Sequence, residues 1–459
     1  MPDWTSDFEA RLAEGTSGYL DEQVFLELIE QYLTGGKTDL AFATSREALQ
    51  QHPFSVDLMC SQAAVLLELE QPEKALEILG HASRISPGEL DIHLLQVETL
   101  IELGRSNEAE IILSPFLQEG SNEDLADAWY FKAMIEEQRD QWQAMHHSLE
   151  RAIRYNPGFQ EALERLWLST EMLGNYTESV SFYEEIIEQD PYAWQVWYNL
   201  GHAHSCMEDY EQAAVAFDYA CVINEDFEHA WRDLGEMYLL LGQFAKAQES
   251  FLTSLQKSDS EDVDLLVKLA EAYEKNGQRD LAVETLQRLL TQDELHDEAI
   301  FRLGCIRVLD GRLEEAISLL EKAVGLNAER EEYYIALAEA YFQKDMLPQA
   351  EFCLNRALEL APEQSAYWLQ YATFLFKHGS LTEALDVLET AIDQQYAPQL
   401  DYARIACLFK LGKRQEACQE LCLQLADDYD THQTLFDLSP ELITDPDVIS
   451  LVRAFRTEA

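Results

Sequence analysis

A small residue returns at a nearly constant interval along almost the whole chain. Consecutive members of this series are 34 residues apart in most cases, and ten of them are alanine: Ala41, Ala75, Ala109, Ala213, Ala247, Ala282, Ala316, Ala350, Ala384 and Ala417. Met145 and Ser179 fill the gap between Ala109 and Ala213. An interval of about 34 residues is the length of a repeated helix–turn–helix unit. Because such a unit buries its apolar face only against its neighbours, the sequence predicts an all-α chain of about twelve stacked units.

A second marker stands five residues before each member of the series. It is Glu or Asp in four units and glycine in the other eight: Gly36, Gly104, Gly174, Gly242, Gly277, Gly311, Gly379 and Gly412. The residue just past a helix often adopts a left-handed conformation, which glycine reaches without steric cost. Each unit is therefore predicted to be a helix, a turn and a second helix. The spacing of five prolines (Pro53, Pro87, Pro157, Pro191 and Pro362) agrees with the alanine series on one inserted residue between Ala247 and Ala282.

Large and small side chains are paired within the units. Trp197 precedes Gly201 and Trp231 precedes Gly235 by four residues, the large one at the fourth position of the unit and the small one at the eighth. A small residue at the eighth position lets the second helix approach closely, so that large fits against small at high packing density.

Two consecutive units carry the most complete set of these residues. They read Trp197, Leu200, Gly201, Ala213, Phe217 and Ala220, and then Trp231, Leu234, Gly235, Tyr238, Ala247 and Phe251. In this order the chain resembles the tetratricopeptide repeat (TPR) family, from about Glu22 to Ala426. The resemblance implies a right-handed α-solenoid. The last segment is similar to the ends of uncharacterised bacterial cytosolic TPR proteins.

The period divides the chain into three predicted parts. Residues 1–21 form an N-terminal extension or cap with a short helix over Ser6–Ala13, residues 22–426 the tandem array, and residues 427–459 C-terminal capping helices. In the last part we predict a broken helix around His432–Leu438 and a second helix over about Asp447–Arg456, because Asp445-Pro446 is a favourable helix start. The unit over 90–122 is predicted to be distorted, and the unit over 398–426 to resemble a cap.

The formal net charge of −54 constrains the partners. Such a surface repels nucleic acid and attracts basic proteins. The alternative explanation is that the acidic residues only keep the protein soluble. No apolar run is long enough to cross a membrane. Eight cysteines scattered through the helices suit a reducing compartment, and we expect a cytoplasmic protein.

No motif indicates chemistry. Gly35-Gly36-Lys37-Thr38 follows a predicted helix and lacks the first glycine of a phosphate-binding loop. His202 and His204 point in different directions on a helix, and Cys418 and Cys422 have no zinc-like partners at the required spacing. We therefore predict no catalytic residue, no metal site and no cofactor, and we expect that the chain is not an enzyme.

The resemblance also implies where a partner binds. In TPR proteins the first helix of each unit lines the inner, concave wall through its positions 2, 5, 9, 12 and 13. The candidate residues carried over in this way are Tyr130, Glu137, Glu164, Glu171, Tyr198, His202, Arg232, Glu236, Glu271 and Phe301. They predict an acidic groove with aromatic spots. The basic clamp of chaperone-binding members is absent, because Asn199 is followed by His229 and Asp233 in the next unit.

Three functions follow from these features, and the sequence leaves all three open. The first is a scaffold or adaptor that holds a basic or amphipathic protein segment in the acidic groove. The second is an acidic chaperone or nucleic-acid mimic that sequesters a basic nucleic-acid-binding protein. The third is a structural subunit of a homo-oligomer. In each case the partner is a protein or peptide, with no direct binding of nucleic acid.

Overall fold

The computed structural model describes residues 18–258, 262–394 and 397–455. Within these ranges the chain forms α-helices, short 3₁₀ turns and no strand, which confirms the predicted all-α class. Twenty-four of the helices form twelve consecutive pairs, as the period predicts. The predicted helix over Ser6–Ala13, and most of the predicted N-terminal part, lie outside the described residues.

The helices follow one another through short turns. The first helices of the pairs are α1 (Glu22–Thr34), α3 (Val56–Glu68), α5 (Leu90–Glu102), α7 (Asn122–Glu137), α9 (Gln160–Leu173), α11 (Trp194–Cys206), α13 (Glu228–Leu240), α15 (Val263–Lys275), α17 (Asp297–Leu309), α19 (Glu331–Gln343), α21 (Ser365–His378) and α23 (Pro398–Lys410). The second helices are α2 (Thr38–Gln51), α4 (Pro72–Ile85), α6 (Ser106–Leu113), α8 (Trp142–Tyr155), α10 (Tyr176–Gln189), α12 (Tyr210–Ile223), α14 (Phe244–Lys257), α16 (Arg279–Gln292), α18 (Leu313–Leu326), α20 (Leu347–Leu360), α22 (Leu381–Gln394) and α24 (Arg414–Asp427). Two further helices, α25 (Gln433–Leu438) and α26 (Pro446–Ala454), follow the last pair.

The alanine series lies at the centre of the helix pairs. All ten alanines have no exposed surface, and Met145 and Ser179 are equally buried. The turn residue five positions earlier has a positive φ in every pair, from +64° to +92° at the eight glycines. The four acidic residues that replace glycine (Glu70, Asp140, Glu208 and Asp345) adopt the same conformation, with φ between +56° and +61°. The turn predicted from the spacing is therefore confirmed at all twelve places.

The pair over 90–122 departs from the others, as predicted. Its second helix, α6, has only eight residues and runs into a 3₁₀ turn over Ser114–Leu117. The carboxylate of Glu110 on α6 forms ion pairs with Lys132 of α7 and with Arg139 in the turn after α7. These charged contacts join the short helix to the next pair. The predicted insertion falls between α14 and α15, where residues 259–261 lie outside the described part.

Contacts between residues divide the chain into two compact units, residues 1–258 and residues 259–459. Unit 1 contains α1 to α14 and unit 2 contains α15 to α26. In unit 2 the core continues beyond the last pair, because Leu435, Leu442 and Val448 are buried in the same cluster as the residues of α23 and α24. The guanidinium of Arg414 on α24 donates to both carboxylate oxygens of Asp445, at 2.8 and 2.7 Å.

The two C-terminal helices begin close to where the sequence places them. Asp445 caps α26 by accepting from the backbone N–H of Asp447 and Val448, and Pro446 occupies the first turn. The helix after His432 is preceded by a 3₁₀ turn over Asp430–His432, so this segment is broken as predicted. That these helices act as a cap, and that the array ends at 426, stay predictions.

Candidate functional site

The first helices of successive pairs are tied to one another by hydrogen bonds. In unit 1 the side-chain amide of Asn199 on α11 donates to the carbonyl oxygen of Leu163 on α9, at 3.0 Å. The Tyr198 hydroxyl on α11 donates to Asp233 on α13, at 2.7 Å. We call the surface that these odd-numbered helices present the first-helix wall, and each unit has its own. Eight of the ten candidate residues lie on the wall of unit 1, and Glu271 and Phe301 lie on the wall of unit 2.

One arginine neutralises part of the predicted acidic wall of unit 1. Arg165 on α9 forms an ion pair with Glu137 of α7, and its Nε donates to the Tyr130 hydroxyl at 3.1 Å. The Tyr130 ring packs against Phe159, with 5.0 Å between the ring centroids. The structure therefore brings Tyr130 and Glu137 together, but Glu137 already has a cationic partner. Sequence reasoning missed Arg165 because this residue occupies the sixth position of its unit.

Tyr198 and His202 meet at a half-buried carboxylate. His202 Nε2 lies 3.4 Å from the Asp233 oxygen that accepts from Tyr198. Burial raises the pKa of Asp233 to about 6, against the opposing hydrogen bond from Tyr198. Burial also lowers the pKa of His202 to about 4, although Glu171 and Glu236 act in the opposite direction. At neutral pH this cluster carries one negative charge on Asp233 beside an uncharged imidazole.

The remaining candidates of unit 1 lie on α9 and α13. Glu164 and Glu171 are exposed, and among the described residues neither forms an ion pair. Glu164 accepts a hydrogen bond from the side chain of Gln160 at 2.9 Å. Arg232 lies with its Nε 3.9 Å from Glu236 on the same helix. Of the candidate acids on this wall, Glu164 and Glu171 therefore have no cationic partner in the described structure, and Asp233 adds a charge beside the uncharged His202.

In unit 2 a second arginine collects carboxylates from two helices. Arg302 on α17 is 2.8 Å from Glu271 and 3.8 Å from Glu274 of α15, and 3.0 Å from Glu298 of its own helix. Burial raises the pKa of Glu274 to about 7, reinforced by the neighbouring Glu271. One oxygen of Glu274 is buried without a hydrogen-bond partner. Glu271, like Glu137, is therefore already paired within the protein.

A cavity on the wall of unit 2 lies across α17, α19 and α21. It has a volume of about 690 Å³ and an apolar floor that includes Phe301, Ile335, Phe342, Leu369 and Phe374. Phe301 is held by stacking on Tyr333, with 4.5 Å between the ring centroids. Glu332 and Glu339 of α19 and Lys377 of α21 supply the charged side chains of the lining.

This cavity was only partly foreseen. Phe301 was a candidate, but Ile335 and Leu369 were not, although they occupy the same fifth position as Tyr130 and Tyr198 in their own units. The fifth position alone therefore indicates which residues line the cavity. The sequence prediction favoured aromatic residues at this position, but aliphatic residues line a cavity equally well.

Among the described residues, no group of three or more His, Cys, Asp or Glu side chains is placed to hold a metal ion. Likewise, none of the described helices is long and apolar enough to cross a membrane. All eight cysteines are free.

Comparison with known proteins identifies the repeat. One family model described as tetratricopeptide repeat matches residues 66–135 and 308–372, and a second matches residues 267–331. The BBSome complex member BBS4 of Bos taurus is 25% identical over 207 residues, which cover 45% of this chain and 40% of that protein. The TPR repeat-containing protein YpiA of Bacillus subtilis is 20% identical over 391 residues, covering 80% of this chain and 86% of that protein. The chain thus spans less than half the length of the bovine relative.

Solved structures show the same kind of similarity. YrrB, a TPR protein with an unusual peptide-binding site, is 22% identical and has a TM-score of 0.33, covering 40% of this chain and 95% of that one. The Cut9 and Hcn1 hetero-tetramer of the anaphase-promoting complex gives 13% identity and a TM-score of 0.43, covering 95% and 96%. TPR proteins generally mediate protein–protein interactions. The residues that the two models match are tetratricopeptide repeats, and the similarity to a TPR repeat-containing protein extends over 80% of the chain.

Proposed function

We propose that this chain is a non-enzymatic, cytoplasmic scaffold that binds basic or amphipathic protein segments on its first-helix walls. The observation that supports this most strongly is the cavity on the wall of unit 2. It combines an apolar floor with charged side chains, and it spans three consecutive pairs. A surface of this kind takes apolar side chains of an extended or helical segment, while the surrounding polar groups fix its orientation.

The volume of the cavity sets the size of the bound element. About 690 Å³ is enough for several large side chains and too little for a folded domain. We expect two or three apolar residues of the partner to contact Ile335, Leu369 and Phe342. A peptide whose apolar residues recur every three or four positions would place them along the wall as a helix.

The charges of the two walls favour a cationic partner. On the wall of unit 2, Glu339 is exposed and forms no ion pair among the described residues. On the wall of unit 1, Glu164 and Glu171 are in the same situation, and the nearest basic group to Asp233 on α11 is an uncharged imidazole. Together with the net charge of −54, these carboxylates attract basic segments and repel acidic ones.

A selection from random peptides tests this proposal. Phage that display random 12-residue peptides would be selected on the immobilised full chain, then counter-selected on the Ile335→Asp, Leu369→Asp double variant. We expect the surviving peptides to combine Leu, Ile, Phe or Trp with Lys or Arg, and to bind less tightly as salt concentration rises. Selection of peptides rich in Asp and Glu would contradict the proposal. So would recovery of the same apolar and basic peptides when the double variant is used as the selecting protein.

A further inference from the structure

The second helix α12 carries an apolar stripe on its exposed side. Val215, Tyr219 and Val222 are 49%, 50% and 65% exposed. Residues spaced by four and then three positions lie on one face of a helix. We call these three residues the α12 ridge. It is a surface of the second helices and does not belong to the first-helix wall.

A cleft runs beside this ridge. It is formed by α10, α11 and α12, has a volume of about 520 Å³, and its apolar lining includes Ile187 of α10 and Trp197 of α11. The Trp197 ring stacks on Tyr219 with 4.4 Å between centroids and 23° between the planes. The indole N–H of Trp197 donates to the carbonyl oxygen of Pro191 at 3.0 Å. The aromatic pair is therefore held in place before any partner arrives.

The repeats themselves provide a comparison for the ridge. Each second helix has three positions equivalent to Val215, Tyr219 and Val222, because the period is constant. In α14 these positions hold Glu249, Thr253 and Gln256, and in α10 they hold Ser181, Glu185 and Glu188. Among the twelve second helices, α12 alone has large apolar side chains at all three. The repeat fold does not require large apolar residues at all three positions, because the other eleven second helices lack this combination.

The charges around the ridge indicate what covers it. Glu184 and Glu188 of α10 and Glu211 and Asp218 of α12 are exposed. Within the described ranges none of these four carboxylates forms an ion pair. A second copy of this chain docked through the same surface would bring four carboxylates against four more, which is unfavourable. A partner with positive charges on both sides of an apolar strip is complementary.

We infer that the α12 ridge docks an amphipathic helix of a partner protein, with its apolar face on Val215, Tyr219 and Val222 and with Lys or Arg on its flanks. The helix lies along the cleft between α10 and α12 and inserts apolar side chains beside Trp197. This mode of recognition buries a row of side chains spaced by three or four residues. The site is separate from the first-helix walls, so the scaffold would hold two segments at once.

The test uses a labelled 18-residue peptide with leucine on one helical face and lysine on its flanks, together with a scrambled peptide of the same composition. Fluorescence anisotropy measures the affinity of both for the full chain. The test variant is Val215→Asp, Val222→Asp. The control is Thr253→Asp, Gln256→Asp, at the positions of α14 equivalent to Tyr219 and Val222, because the equivalent of Val215 is already the acidic Glu249. Both variants add two negative charges at positions that are exposed or, at Thr253, half-buried, and circular dichroism checks that each remains folded.

We expect the amphipathic peptide to bind the test variant at least tenfold more weakly than the unchanged chain, and the control variant no more weakly. Hydrogen exchange should show protection of α10 and α12 by this peptide. Equal binding of the scrambled peptide, or equal weakening in both variants, would overturn the inference. So would protection confined to α17, α19 and α21, a result that leaves the first-helix wall as the binding surface. Sedimentation that shows dimers dependent on Val215 and Val222 would assign the ridge to a second copy and overturn it as well.

Discussion

Gly201 lies directly against the ring of Phe217. A β-carbon at position 201 would come within 2.6 Å of two ring carbons of this residue, and Phe217 has no exposed surface. The same relationship recurs one repeat later, where a β-carbon at Gly235 would lie 2.4 Å from the ring of Phe251. The small residue thus allows the predicted close approach of α11 to α12 and of α13 to α14, but the large residue nearest to it is a phenylalanine of the second helix and not the tryptophan four positions earlier.

This contact predicts that Gly201→Ala destabilises the protein. The buried ring has no room to move, so the added methyl group forces a shift of side chain or backbone that costs about 1–3 kcal/mol. Gly80→Ala is the matched control, because position 80 is inside α4 and nothing lies within 4 Å of its added β-carbon. That substitution should stabilise by about 0.5–1 kcal/mol through helix propensity. Urea unfolding measures both, and equal effects would contradict the packing account.

The turn of the sixth pair predicts a stabilising change. Glu208 has a φ of +61°, a conformation that costs a residue with a side chain about 1–2 kcal/mol and glycine very little. Glu208→Gly should therefore raise the free energy of unfolding by about 1 kcal/mol, after the larger entropy of glycine in the unfolded chain. Glu208→Ala removes the same charge but keeps the β-carbon, so it should give no such gain. A gain of equal size in both variants would point to charge and refute the conformational explanation.

Glu274 predicts a specific dependence of stability on pH. Its pKa is raised from 4.5 to about 7 in the folded protein, mainly by burial. The folded state therefore holds this proton more tightly than the unfolded state, and the contribution of Glu274 to stability falls as pH rises from about 4.5 to 7. Glu274→Gln should remove this loss. Between pH 5 and 8 the free energy of unfolding of the variant should therefore rise relative to that of the unchanged chain by on the order of 1–2 kcal/mol, a value that allows for partial solvent screening.

Thermal unfolding at several pH values measures this difference. Glu164→Gln provides the control, since Glu164 is exposed and without an ion pair in the described structure. A difference between Glu274→Gln and the unchanged chain that stays constant with pH would show that the buried carboxyl does not hold its proton.

Much of the fold could be predicted from the sequence because each repeat has the same types of residue at the same positions. The position five residues before the alanine needs a positive φ, and it is occupied by glycine or an acidic residue in every unit. The unit over 90–122, which the sequence predicts to be distorted, keeps Gly104 at this position and differs in its shortened α6. The division into two units was not foreseen. It depends on which residues pack together, and the only sign of it in the alanine period is the one inserted residue between Ala247 and Ala282.

The candidate sites were harder to predict than the fold. Arg165 and Arg302 were missed because a long side chain reaches across to a neighbouring helix from a position that does not itself face the wall. Their ion pairs neutralise Glu137 and Glu271, which the sequence counted as available acids. The α12 ridge was missed for another reason. Val215, Tyr219 and Val222 are read as core residues when only apolar spacing is considered, and their exposure appears only once α12 is packed.

The affinity of one peptide selected on the full chain tests the central claim most directly. It would be titrated against the unchanged chain, Ile335→Asp and Ile111→Asp, each first checked for an unchanged unfolding temperature. Both substitutions replace isoleucine by aspartate, but Ile335 lines the cavity of unit 2, whereas Ile111 is exposed on α6 of unit 1. Loss of one buried isoleucine contact should weaken binding at least tenfold. We predict that loss for Ile335→Asp and no change for Ile111→Asp, and equal affinities for all three proteins would contradict the account.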